Sequence, residues 1–186
     1  MKRFVDWMLS VVLLALCSVP MLLVGLLVKL TSPGPVLYWS DRVGVNNTIF
    51  RMPKFRTMLI DTPAVATHLL TDPDRFLTPI GKFLRKSSLD ELPQLFSILR
   101  GDMSFVGPRP ALYNQDDLIK LRTEKGVHVL PPGLTGWAQI NGRDELPIPV
   151  KVDFDEHYLK NRSMALDIRI IFLTALKVLK SDGVSH

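Results

Sequence analysis

The sequence predicts an α/β fold that is mostly helical, with an N-terminal segment embedded in a membrane and a compact domain resting on one face of it. Three observations predict this. Trp7 to Val28 runs for 22 residues without a charge, long enough to cross a bilayer core of about 30 Å as one helix. Apolar stripes at helical spacing recur from Pro79 to Lys180, whereas stretches of strand character are few and short. The 186 residues suffice for one domain with a modest core and not comfortably for two.

The apolar content of 47% is high for a soluble protein, and the excess lies at the N-terminal end. A cleaved signal peptide would need a shorter apolar core and a small-x-small site, and neither is evident. A straight transmembrane helix meets two objections. Pro20, near the middle of the run, removes a backbone hydrogen bond and bends a helix, and Ser18 can satisfy the freed groups. Both flanks are also basic, with Lys2 and Arg3 before and Lys29, Arg42, Arg51, Lys54 and Arg56 after, which would hold both on the cytoplasmic side. A re-entrant hairpin fits both facts and is preferred to a straight span. The expected division is residues 1–30 as the membrane-embedded re-entrant helix and residues 31–186 as the rest.

Thr31 to Pro35 is a stiff exit full of turn formers. Val36 to Trp39 reads as a short strand or an interfacial aromatic anchor, Asn46-Asn47 as a turn, and Thr48 to Met52 as a second strand. Lys54 and Arg56 then lie on one side of an extended segment, either as a solvated basic edge or as phosphate contacts. Asp61 to Thr78 reads as a loop with one short helix at most. Pro79 to Lys86 is a brief helix with Ile80, Phe83 and Leu84 on one face, and Arg85 within reach of Asp90.

The densest chemistry lies between Ser87 and Pro110. Ser88-Leu89-Asp90-Glu91 fits the S-x-x-E capping pattern, and Leu92, Leu95, Phe96 and Leu99 form one helical stripe that Gly101 ends. Pro93 is tolerated only in the first turn. Asp90 and Glu91 then lie at a helix N-terminus, where the dipole favours ionised carboxylates. An ionised Asp can act as a covalent nucleophile, and a second carboxylate can share a hard cation; the plain alternative is a pair of capping acids. Pro108-Arg109-Pro110 fixes the backbone about Arg109, as an anionic substrate would require.

Tyr113 to Lys125 reads as a helix with a solvated, mixed-charge face. Pro131 to Trp137 and Asn141-Gly142-Arg143 are glycine-rich, so that backbone could approach a ligand, but the spacing matches neither a P-loop nor a dinucleotide fingerprint. Asp153 to Asn161 and Leu166 to Lys180 read as helices. In the last, Ile168, Ile171, Phe172, Leu176 and Leu179 line one side, for core packing or a membrane interface. Cys17 is the single cysteine, which excludes a disulfide framework and a Cys-based metal site. His68, His128, His157 and His186 show no metal-ligand or triad spacing. A net charge of +5 suits an anionic leaflet and phosphorylated substrates. Nucleic acid is not expected, because no binding motif is present.

In this order, Lys54 to Met58, Ser88 to Leu95, Gly101 to Pro110 and Pro132 to Arg143 make the whole chain resemble the bacterial sugar transferase family, the monotopic phosphoglycosyl transferases of glycoconjugate assembly. No large multi-span N-terminal region is present, so the minimal catalytic form is expected. The resemblance implies that an aspartate matching Asp90 attacks the sugar-linked phosphate of a UDP-sugar and releases UMP. A polyprenol phosphate, expected to be undecaprenyl phosphate, then takes the phosphosugar. The resemblance further implies Mg2+ as cofactor, with Asp90 and Glu91 as its contacts. Glu91 matches the dyad partner, Lys54, Arg85 and Arg109 fall on basic positions that the family keeps near the phosphates, and Arg143 is similar; Arg56 is expected to bind substrate from its own place beside Lys54. Membrane lipids are the other expected partner, at the cytoplasmic face of a bacterial inner membrane. An N-acetylated hexosamine is the expected sugar. The family's re-entrant helix breaks at a Ser-Pro pair, which here reads Ser18-Val19-Pro20. The alternatives are a membrane-tethered glycosyltransferase that releases UDP and a non-enzymatic membrane scaffold.

Overall fold

The apolar N-terminal run forms one helix, α1 (Lys2–Thr31), with Pro20 inside it. The computed structural model describes residues 1–63, 72–142 and 146–180. Among these, α1 is the one helix long and apolar enough to cross a membrane. Proline at position 20 leaves the Leu16 carbonyl without its usual partner, and the Ser18 hydroxyl bonds the neighbouring Ala15 carbonyl at 2.8 Å. The helix assignment is continuous through that point.

What α1 touches differs on the two sides of Pro20. Leu9, Leu13 and Leu14 pack on a cluster built around Leu95, Ile98, Met103 and Phe105. Met21, Val24 and Val28 belong to a second cluster with Phe55 and Leu84. Between them most side chains face out, Leu16 being 70% and Val19 62% exposed. The N-terminal end is held by polar bonds as well. Lys2 pairs with Asp167 at 2.6 Å, Arg3 donates to the carbonyls of Ile98 and Leu99, and the buried Asp6 accepts from Ser104 Oγ at 2.8 Å and Phe105 N at 3.3 Å.

A two-stranded antiparallel hairpin follows, β1 (Leu37–Val43) and β2 (Ile49–Phe55), in the register Val43 to Ile49. Asn46 and Asn47 turn it in the left-handed region, at φ 53° and 60°, a conformation asparagine tolerates better than most residues. A one-turn 3-10 helix (Pro73–Phe76) leads to α2 (Gly81–Lys86). Residues 64–71 of the expected loop lie outside the described residues.

The capping box read at Ser88 does not form. Ser88 adopts φ 58°, makes no cap bond, and opens a 3-10 turn over Leu89–Glu91; α3 (Gln94–Arg100) starts only after Pro93. That late start changes which face is buried. Leu95, Ser97 and Ile98 turn inward, while Phe96 is 48% exposed. Phe83 of α2 also faces out. Gly101, in the left-handed region, ends α3 as expected.

The second sheet is parallel and short: β3 (Ser104–Val106) beside β4 (Gly133–Thr135). Around it run α4 (Asp116–Glu124), α5 (Trp137–Ile140), α6 (Ile148–Asn161) and α7 (Met164–Lys180). The glycine-rich stretch, read as a backbone approach to ligand, is instead a backbone approach to backbone. A Cβ on Gly107, Gly133 or Gly136 would collide with main-chain atoms of the facing segment. In α7 the apolar stripe read from the sequence is the outer one, with Ile168 61% and Phe172 62% exposed, while Ile170 is buried. Leu166 and Leu173 pack inward beside it.

Overpacking of this kind costs on the order of 1–3 kcal/mol per site. Gly133→Ala should therefore lower the melting temperature of the detergent-solubilised protein by several degrees. A melt indistinguishable from wild type would show that the strands part without cost.

Candidate active site

The turn Leu89–Glu91 puts two adjacent carboxylates against β2 and the loop after β3. Glu91 Oε1 lies 2.7 Å from Lys54 Nζ and 3.7 Å from an Arg109 guanidinium nitrogen. Asp90 is 6% exposed and sits within the electrostatic reach of Lys54, Arg85 and Arg109. Lys54, Arg85, Asp90, Glu91 and Arg109 are thus brought together from four segments separated by up to 55 positions in sequence.

One of the seven residues expected from the sequence stands apart from that group. Arg56 is buried and turned to the exit of α1, with Nε donating to Pro35 O at 2.7 Å and a terminal nitrogen donating to Ser32 O and Oγ. Because β2 ends at Phe55, Arg56 is no longer bound to the alternation that would have aligned it with Lys54. It latches the end of α1 rather than facing the cleft. Arg143 lies outside the described residues.

Burial governs the electrostatics. Asp90 has its pKa pushed up to about 6, mainly by desolvation, with Lys54 opposing and the adjacent Glu91 adding to the rise. This is the reverse of the direction read from a helix N-terminus. The acid precedes α3 by a turn, so removal from water outweighs any help from the helix dipole. Burial likewise lowers the pKa of Arg85, against the pull of Asp90, though a guanidinium remains charged at neutral pH.

Arg109 is held through its backbone. Pro108 and Pro110 flank it, both buried. Arg122 donates to the Arg109 carbonyl at 2.8 Å and is itself paired with buried Asp155 at 2.7 Å. Arg42 donates to the Pro110 carbonyl at 3.1 Å. The Arg109 side chain therefore projects from a fixed point while remaining 40% exposed.

A small cleft opens at this cluster, lined by Arg42, Lys54, Glu91, Gln94, Arg109 and Gly133 among others. Sequence reading assigned no site role to Arg42, counted only as a flanking charge, or to Gln94. The available signal for Gln94 was a polar residue three positions after Glu91 on an otherwise apolar helix. Arg122 and Asp155 gave no such signal, being 33 positions apart on helices of mixed charge. The arrangement can hold a polyanion against three cations, beside one nucleophilic carboxylate.

The chain matches the family described as bacterial sugar transferase over residues 1–181. It is 42% identical, over its full length and 91% of the relative, to the uncharacterized sugar transferase EpsL of Bacillus subtilis. It is 37% identical to the UDP-N-acetylgalactosamine-undecaprenyl-phosphate N-acetylgalactosaminephosphotransferase of Aeromonas hydrophila, over 98% of the chain and 44% of that protein. It is 40% identical to the UDP-glucose:undecaprenyl-phosphate glucose-1-phosphate transferase of Escherichia coli K12, over 95% of the chain and 40% of that protein. The chain thus spans less than half the length of these last two relatives. With the family matched over residues 1–181, the chain belongs to the bacterial sugar transferases.

Proposed function

We propose that the chain transfers a sugar-1-phosphate from a UDP-sugar to undecaprenyl phosphate through a covalent phosphosugar on Asp90, releasing UMP. The observation that carries this reading is a single nearly buried carboxylate among three cations, next to a second carboxylate and beside a cleft. A carboxylate oxygen of Asp90 forms a bond to the phosphorus that bears the sugar, and the phosphoanhydride bond breaks. UMP departs with the bridging oxygen and its electron pair. An oxygen of undecaprenyl phosphate then attacks the same phosphorus, which frees Asp90 and leaves a polyprenyl diphosphate sugar. Lys54, Arg85 and Arg109 offset the charge that gathers on the phosphoryl oxygens, and Arg143 is proposed as a further contact.

Mg2+ is the proposed cofactor. Asp90 and Glu91 are hard oxygen donors, and no group of three or more acidic, His or Cys side chains gathers among the described residues. Such a pair suits an ion that takes one or two carboxylates and completes its shell with substrate phosphates and water. When bound it would neutralise developing phosphoryl charge. The relatives' names divide among N-acetylgalactosamine, galactose and glucose, so the donor panel holds these three as UDP-sugars together with UDP-N-acetylglucosamine; an N-acetylated hexosamine is the proposed donor.

The domain is proposed to sit on the cytoplasmic face of a bacterial inner membrane, with α1 re-entrant. Only Ala15 to Pro20 separates the two packed portions of α1, about 9 Å of helix at 1.5 Å per residue. Tags at the N- and C-termini should therefore both be protected from protease in intact cells and both cleaved in inverted membrane vesicles. A tag exposed on the periplasmic side would overturn the re-entrant placement.

Nucleotide release tests the chemistry. The purified protein with Mg2+, undecaprenyl phosphate and the donor panel should give UMP, and Asp90→Asn should give none above background. UDP as product would move the case to the glycosyltransferase alternative. Asp90→Asn also has a stability signature. The folded carboxyl binds its proton up to about pH 6 and the ordinary value is 3.8, so native stability falls as pH rises between them and stays lower above. The amide removes that penalty, and the variant should be more stable by roughly 1–3 kcal/mol near neutral pH, with the gain gone below about pH 4. Denaturant melts at both pH values check this. A variant less stable at neutral pH would show that its inactivity comes from misfolding.

A further inference from the structure

We infer that Gln94 is a substrate-contacting residue, whose side-chain Nε2 donates a hydrogen bond to an oxygen of the sugar phosphate in the cleft. The inference rests on the reading that this cleft takes a UDP-sugar.

Gln94 opens α3 three residues after Glu91, and residues three apart across a 3-10 turn eclipse one another. It therefore shares the side of the chain on which Glu91 meets Lys54 and Arg109, and it lines the same cleft. The residue is 3% exposed, yet Nε2 has no acceptor among the described residues. Buried donors without partners are rare in native proteins because they forfeit water and gain nothing in return. Gln139 is also buried with an unpartnered amide, but it lies against Gly136 and not on the cleft.

The surroundings say what would complete the bond. Lys54 and Arg109 face Glu91, and Arg42 is bonded to Ser40 and Pro110. The cleft thus already holds cations for a polyanion. A primary amide adds a directional, uncharged donor, and its complement is an acceptor oxygen. The donor molecule offers two sources, a phosphoryl oxygen or an oxygen of the sugar.

Gln94→Met keeps the length and removes the donor, and Gln94→Glu keeps the shape and replaces the donor with an acceptor. Binding of UDP, UDP-glucose and UDP-N-acetylgalactosamine is measured for each with Mg2+ present, together with the melt of the unliganded protein and UMP release. Both variants should bind UDP-sugar about tenfold or more weakly, with a matching rise in KM. Gln94→Met should melt at or above the wild-type temperature, since it buries no orphaned donor. An equal loss for UDP marks the phosphoryl oxygen as the partner; a loss confined to UDP-sugars marks the sugar. Unchanged affinity for every probe overturns the assignment, as does a fall in the unliganded melt that matches the loss of binding, which would mean a packing role. Wild-type protein that binds UDP-sugar but releases no UMP defeats the proposed function alone, and wild-type protein that binds no probe defeats both.

Discussion

The ion pair between Lys54 and Glu91 is the contact on which the cleft depends. It ties β2 to the turn before α3 at 2.7 Å, and it decides what the neighbouring acid can do. Two adjacent carboxylates in a desolvated place oppose each other's ionisation. Lys54 is the strongest influence holding the Asp90 pKa down, and Glu91 works against it. By standing on Glu91, the lysine lets a buried Asp90 remain an anion near neutral pH. A fully solvated aspartate would ionise more readily but would be a weaker nucleophile, wrapped in water. A fully isolated buried one would stay protonated. The pair sets the compromise between them.

The opposite wall of the cleft is fixed by backbone instead of side-chain charge. Gly107 and Gly133 admit β3 and β4 to near contact, Tyr158 Oη lies 3.3 Å from the Val106 carbonyl, and Arg122 and Arg42 donate to the carbonyls of Arg109 and Pro110. This framework continues into α1. Asp6 accepts from Ser104 and Phe105 at the start of the same strand, and Asp167 accepts from both Tyr158 and Lys2. The apolar helix α1 and the strand that leads to Arg109 therefore share one hydrogen-bonded network, with 98 positions between Asp6 and Ser104.

Much of this was legible from residue type. The apolar run, the Asn46-Asn47 hairpin, the end of α3 at Gly101 and the clustering of Lys54, Arg85, Arg109, Asp90 and Glu91 all followed from local chemistry or from the family resemblance. What was not legible depended on contacts between distant segments. Phe96 and Phe83 share apolar stripes with buried neighbours, yet which side of each helix meets the core is set by where α1 lies. Arg56 was grouped with Lys54 by strand alternation, which ceased to apply once the strand ended. The glycines near position 133 were read as leaving room for a ligand, when the room was already taken by Gly107. Asp90 was given a lowered pKa from its place in sequence, and burial reversed the sign.

The polar residues at the start of α1 bear on how such a helix can meet a bilayer. Arg3 and Asp6 satisfy carbonyls, a hydroxyl and an amide of the globular body, and Asp6 is 5% exposed. Drawing this end across to the far leaflet would strip those groups and leave Ser104 and the α3 carbonyls unpaired. Breaking a buried charged contact by removing one partner costs about 3–5 kcal/mol. The apolar middle gains nothing from the rearrangement that it lacks when buried in one leaflet, because Leu16, Val19, Leu22 and Leu23 are already free of the protein and available to lipid. On the proposed one-sided placement, both ends of α1 keep these contacts with the globular body, and the apolar side chains exposed along the helix are left to lipid.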